Sequence, residues 1–180
     1  MTIAEIIKEV NKVKKIHSKN DPEKICEEMG IDILYMSMGH HHSAIKGFVL
    51  ETKNEPIIFV NQDLPDVIQR IIIGHELAHV ICHVGEDKAF DRLLYNSSNK
   101  MEIEANMFLA ELLLDDQDVL EELNSGKTFF GAAKALYVPP ELLDYKFRIM
   151  KFKGYKLVEP PTTTRSNFLK DIDIPEYYLM

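Results

Sequence analysis

The residues of this chain best suited to chemistry are two histidines and a glutamate in the string His75-Glu76-Leu77-Ala78-His79. On a helix, His75 and His79 stand one turn apart, so both imidazoles leave the same face and can approach one metal ion. Glu76 is placed to take a proton from a water that such an ion has made acidic. Two imidazoles leave a catalytic zinc short of its usual three protein ligands, so a carboxylate from another element is expected. The segment Met101-Glu102-Ile103-Glu104-Ala105-Asn106 offers two. Steps of three and four residues put Glu102 and Asn106 on the helix side that holds Ala105, Leu109 and Leu112, whereas Glu104 keeps register with Phe108 and Glu111. Glu102 is therefore the expected third ligand and Glu104 the alternative. Asn106 is placed to hydrogen-bond a ligand imidazole and fix its orientation.

A five-residue string can arise by accident. This one sits inside VIQRIIIGHELAHVICH, an apolar run in which two histidines and a glutamate are costly to bury unless something partners them. A zinc ion is such a partner. His83, one further turn along the same face, reads equally as a fourth ligand, a donor to a ligand, or a polar rim residue. For the oxyanion of an acyl-transfer step the candidates are His83 and Tyr145. The consecutive His40, His41 and His42 read as a solvated loop.

The elements that must position these groups follow from periodicity. Ile3, Ile6, Ile7, Val10 and Val13 predict an amphipathic helix over 3–16, and Asp21-Pro22 opens a second that ends at Gly30. Residues 31–37 read as a strand, and GFVL and PIIFVN on either side of ETKNE as a hairpin. From Asp66 the apolar run is too long for a strand and predicts a buried helix carrying the histidines. Further helices are expected over 101–113, over DDQDVLEEL, and over FFGAAKALYV and ELLDYKFRIMK, the last two broken at Val138-Pro139-Pro140. Strands followed by a run of helices give an α+β fold, a helical body carrying the histidine helix beside a small, mainly antiparallel sheet. One domain over 1–154 is expected, with a Pro- and Thr-containing tail over 155–180 that reads as loosely ordered.

Bulk properties narrow the classes. Hydrophobic residues at 46% and charged residues at 28% exclude a disordered or fibrous chain. The N-terminus lacks the apolar core of a signal peptide, and no apolar stretch approaches bilayer length. Cys26 and Cys82 form no CxxC pair, so a reducing cytoplasm is the expected setting. A net charge of −8 opposes a broad grip on phosphates, which makes direct nucleic-acid binding unexpected and suits an enzyme acting on protein.

Taken together, IIGHELAHVICH, the following EIEANMFLAELLL and the preceding FVNQDL resemble the ImmA/IrrE metallopeptidases, a family that includes mobile-element antirepressors. The resemblance extends through DPEKICEEMGIDI and AAKALYVPPELLDYKF, and so reaches most of the chain up to about 150. It implies a cytoplasmic zinc endopeptidase that cleaves a helix-turn-helix repressor and so induces prophage or mobile-element genes, with metal ligands at His75, His79 and Glu102 and the catalytic glutamate at Glu76. Two departures, Leu114-Asp115-Asp116 where many members have Met-Pro and Ala78 in place of a common glycine, touch none of these positions. A peptide substrate is expected to lie along the strand PIIFV taken as a sheet edge. The rival readings are a non-proteolytic regulator, using the helix pair 129–152 with Lys134, Lys146, Arg148, Lys151 and Lys153 to bind DNA or a repressor, and a toxin-antitoxin component.

Overall fold

The computed structural model describes residues 1–17, 20–52, 55–83, 99–161, 164–170 and 172. Helix α1 (Ile3–Ile16) opens on a reciprocal cap, in which the Thr2 hydroxyl accepts from the Glu5 N–H and the Glu5 carboxylate accepts from the Thr2 N–H. It buries Ile6, Val10 and Val13, the inner face that the spacing predicts. Helix α2 (Pro22–Met29) starts on an Asp21 cap with Pro22 in its first turn and ends at Gly30, as expected from the same residues.

Strands β1 (Asp32–Met36), β2 (Gly47–Thr52) and β3 (Glu55–Asn61) form one sheet in the order β1-β3-β2. The expected hairpin β2–β3 is its antiparallel part, with Phe48 opposite and stacked on Phe59, while β1 joins β3 in parallel. This order corrects one expectation. PIIFV is hydrogen-bonded on both sides, so its backbone groups are already paired and β3 cannot receive a substrate strand; β2 is the edge nearest the cleft. The reason is the 37–46 segment, which carries the chain from β1 past β3 to the far side. Asn61, fully buried at the end of β3, holds that segment: its Oδ1 accepts from the N–H groups of Met38 and Asp63, and its Nδ2 donates to the carbonyls of Gly39 and Ile45.

The helical body consists of α3 (Asp66–His83), α4 (Asn99–Leu113), α5 (Asp116–Asn124), α6 (Phe129–Ala135) and α7 (Pro140–Phe152). Helix α3 is buried on nearly every side, lying between the sheet, α2 and α4, which explains an apolar run without a polar face. Two glycines let it pack that closely. A Cβ on Gly74 would stand 2.6 Å from Leu109 Cδ1 and 3.1 Å from Pro22 Cγ, and one on Gly47 would stand 2.3 Å from Ile72 Cγ2. A side chain at 74 would have to displace the Leu109 methyl, and one at 47 would also meet the Phe59 carbonyl oxygen at 2.9 Å. No described helix is long and apolar enough to cross a membrane. Past α7, Phe168, Leu169 and Ile172 are buried against the body, while the tail beyond residue 172 lies outside the described residues.

Candidate metal centre

Where α3 crosses α4, the side chains of His75, His79 and Glu102 converge, all three buried. His75 Nε2 lies 3.1 Å from His79 Nε2 and 3.4 Å from Glu102 Oε2, and His79 Nε2 lies 3.5 Å from Glu102 Oε1. Zinc bonds of about 2.0–2.1 Å at tetrahedral angles require ligand atoms about 3.3 Å apart. The three separations, with His75 facing one Glu102 oxygen and His79 the other, are each of that size, and the donor set is one that zinc accepts. Among the described residues this is the single cluster of three potential ligands. His40, His41 and His42, by contrast, are solvent-exposed in the 37–46 segment.

The outer contacts of His79 fix its tautomer. Glu104 Oε2 lies 2.9 Å from His83 Nε2, and His83 Nδ1 lies 3.2 Å from His79 Nδ1, all buried. Burial alone would raise the Glu104 carboxyl, but hydrogen bonds from the Met1 amine and from His83 outweigh it and hold the group below the usual carboxylate range. An ionised Glu104 only accepts, so His83 Nε2 carries the proton. When His83 is neutral, its Nδ1 lone pair faces the His79 Nδ1–H, and His79 Nε2 is left bare and aimed at the cluster. Glu104 thus contacts the cluster only through His83. Burial also pushes His79 down to about 4, which keeps it neutral and able to donate that lone pair at ordinary pH.

His75 faces the other way out. Burial disfavours its charged form, yet the Glu102 hydrogen bond, the nearby Glu76 and Glu102 charges and the Asn106 side chain together raise its affinity for a proton. Its Nδ1 and the Asn106 Oδ1 are both buried and neither has a hydrogen-bond partner, while Asn106 Nδ2 donates to the Ser166 carbonyl at 2.7 Å. For Glu102, burial is overcome by the hydrogen bonds and charges of His75 and His79, and the carboxyl is held far below its ordinary range. An imidazole with raised proton affinity, a neutral imidazole and an ionised carboxylate thus meet at one point.

A cleft of about 360 Å³ opens on this cluster. Glu76, half-buried, lines it beside His75, His79 and Glu102; the opposite wall is the start of β2, Gly47 to Val49, with Lys46 before it. Neither His83 nor Tyr145 lines the cleft. His83 sits behind His79, and the Tyr145 hydroxyl donates to the Arg165 carbonyl at 3.5 Å. Lys46 and the pair Leu169 and Lys170 are cleft residues that the sequence did not announce. A single lysine in a loop carries no spacing signal. Its Nζ, buried, donates to the carbonyls of His42 and Ala44 at 2.8 and 3.0 Å and so ties down the loop that forms the wall.

The basic residues of the 129–152 pair are occupied. Lys146, fully buried, pairs with Glu111 and Asp116, Lys153 with the same two acids, Arg148 with Asp144 and Lys151 with Glu159. Helices α6 and α7 pack onto α4 and α5 and close the core.

Most of the chain is similar to known proteins. The family model described as the IrrE N-terminal-like domain matches residues 26–148. The chain is 30% identical over 139 residues to "Uncharacterized immunity region protein 2" of Bacillus phage phi105, spanning 76% of this chain and 85% of that protein. It is 29% identical over 144 residues to "Metallopeptidase ImmA" of Bacillus subtilis (strain 168), spanning 76% of this chain and 80% of that protein.

Proposed function

The chain belongs to the family of IrrE N-terminal-like domains, and from that premise we propose that it is a cytoplasmic zinc endopeptidase that cleaves a helix-turn-helix repressor and so releases prophage or mobile-element genes. The observation that carries this reading is the convergence of His75, His79 and Glu102 at zinc-ligand spacing, with Glu76 beside them in an open cleft. The names of the two relatives, a metallopeptidase and a phage immunity region protein, support the chemistry and the setting respectively.

In this reading His75, His79 and Glu102 hold the zinc. Bound there, zinc supplies Lewis acidity toward a peptide carbonyl and its attacking water. Glu76 takes the proton of that water and returns it to the leaving amine. The open edge of β2 offers backbone donors and acceptors to an extended peptide, with Gly47 keeping the strand close to α3. Glu104 and His83 act through His79 by keeping its Nδ1 protonated.

The test is co-production with the helix-turn-helix protein of the adjacent reading frame, followed by immunoblotting for its fragments. Wild-type chain should cut it, and Glu76→Gln should keep zinc but lower the cleavage rate by about 10²–10⁴-fold. Relief of repression by Glu76→Gln without fragments would replace this reading with that of a binding regulator.

A further inference from the structure

The segment 164–170, which lies beyond the family match, runs across the outer side of the site. Its contacts are with the site itself. Phe168 is buried with its ring 6.1 Å from that of Tyr145, the Arg165 carbonyl accepts from the Tyr145 hydroxyl, and Ser166 Oγ donates to Asn99 Oδ1 at 3.2 Å. Leu169 and Lys170 continue into the cleft wall that includes Glu76 and Glu102. The Ser166 carbonyl accepts from Asn106 Nδ2 at 2.7 Å, and the Asn106 side chain is the one beside His75.

We propose that this C-terminal strap is a working part of the metal centre: through the Ser166 carbonyl it sets which way the Asn106 amide faces, and through Asn106 it sets the tautomer of His75. An asparagine amide is nearly symmetric in shape and asymmetric in hydrogen bonding. A carbonyl can only accept, so the atom of Asn106 facing Ser166 must be its NH₂, and Oδ1 is left turned inward. There, buried and without a partner, it can only accept; the His75 Nδ1 beside it is likewise buried without a partner, so a proton on that nitrogen is the one the two groups together favour, and His75 Nε2 is then a bare lone pair toward Glu102 and His79. Without the strap, Asn106 is free to flip its NH₂ toward His75. That would favour the tautomer with the proton on Nε2, the wrong nitrogen for a metal. Asn106 and the strap are positioning groups, and their effect should appear in zinc affinity before any chemistry occurs. The proposal rests on the zinc reading above, and the experiment separates the two.

Zinc affinity of the full chain is measured by competition with a chromophoric chelator, alongside circular dichroism and the ¹⁵N spectrum of the histidine rings. Failure of the wild type to bind zinc would overturn the zinc reading itself. Given wild-type binding, Asn106→Ala should weaken it by about 10–100-fold, and Phe168→Ala, which loosens the strap at a distance from the ligands, by about tenfold. The double variant should bind within about twofold of Asn106→Ala alone, because both act on one hydrogen-bonded unit. Asn106→Asp supplies the rescue, since a carboxylate presents an acceptor to His75 whichever way it turns; in that background Phe168→Ala should change affinity less than about twofold. In the spectrum of the zinc-loaded protein, the His75 Nδ1–H should exchange with solvent faster in Phe168→Ala than in wild type. If Phe168→Ala lowers the helical signal, Phe168→Leu keeps most of the buried volume and takes its place. Wild-type affinity in a folded Phe168 variant, or penalties that multiply in the double variant, would overturn the strap's role and leave the zinc site standing.

Discussion

Helix α4 buries a glutamate near each end, and the two are treated in opposite ways. At its C-terminal end Glu111 meets Lys146 at 2.7 Å and Lys153 at 2.6 Å, and Asp116 on α5 closes the cluster on the same two ammonium groups. Two acids face two bases, and the cluster is complete. Near its N-terminal end Glu102 meets the imidazoles of His75 and His79, the second held neutral by burial, and the three side chains converge at metal-ligand spacing. Both are buried polar clusters of similar exposure. Burial of charge therefore does not by itself mark a functional site; convergence of metal-ligating side chains at one point does.

The comparison can be broken at either end, and the largest effect is expected at the complete cluster. Lys146→Met leaves Glu111 and Asp116 without their most buried partner and should destabilise the fold by about 3–5 kcal/mol, read from urea unfolding, while zinc affinity stays at the wild-type value. Loss of zinc binding in that variant would mean that the two ends of α4 are not independent. Next in size is the metal itself. Free zinc at about a hundredfold over its dissociation constant should stabilise the wild type by about 2.7 kcal/mol, seen as a rise in melting temperature that chelation reverses. Glu102→Gln should abolish the rise, since an amide is a poor replacement for the carboxylate ligand. Replacing Lys146, Glu111 and Asp116 together by apolar residues of similar volume should cost far less than Lys146→Met alone, because no charge is then stranded. Equal costs would show that the cluster adds stability of its own.

The smallest effect is a pH dependence. Burial would raise the Asp116 carboxyl, but hydrogen bonds and charges from Lys146 and Lys153 outweigh it and hold it below its ordinary value. A group depressed in the folded state binds fewer protons there than in the unfolded chain, so its contribution is complete above the unfolded value of about 4 and is lost as pH falls through the folded value. Asp116→Asn should flatten that part of the stability profile below about pH 4. An unchanged profile would remove Asp116 from the account.

The parts of the molecule legible in the sequence are those in which local signals and tertiary environment agree. Thr2 with Glu5, Asp21 with Pro22, and Gly30 mark helix ends through bonds made within a few residues. His75 and His79 share a face because they are one turn apart. The helical phase that separated Glu102 from Glu104 is visible in their contacts, since Glu102 reaches both imidazoles while Glu104 reaches His83. Yet α4 is buried on both sides, so phase alone could not show what Glu104 faces. Strand order was not legible: whether PIIFV is edge or centre depends on where the 37–46 segment crosses, and that is fixed by the contacts of Asn61 rather than by alternation in the strand. Nor was the packing of Phe168 and Leu169. Two apolar residues in a polar, proline-containing tail give no periodicity, and their place is made by Tyr145 and the cleft wall, contributed from far along the chain.

Gly74 immediately precedes the first imidazole, and the side chain it lacks is the gauge of the metal centre. Leu109, whose methyl would collide with a β-carbon there, rides on the same rigid rod as Glu102, seven residues away. A methyl group added at 74 would have to push that leucine methyl aside and press on the Pro22 ring of α2. The missing β-carbon thus leaves room for the leucine that seats the carboxylate's helix against the helix of the imidazoles.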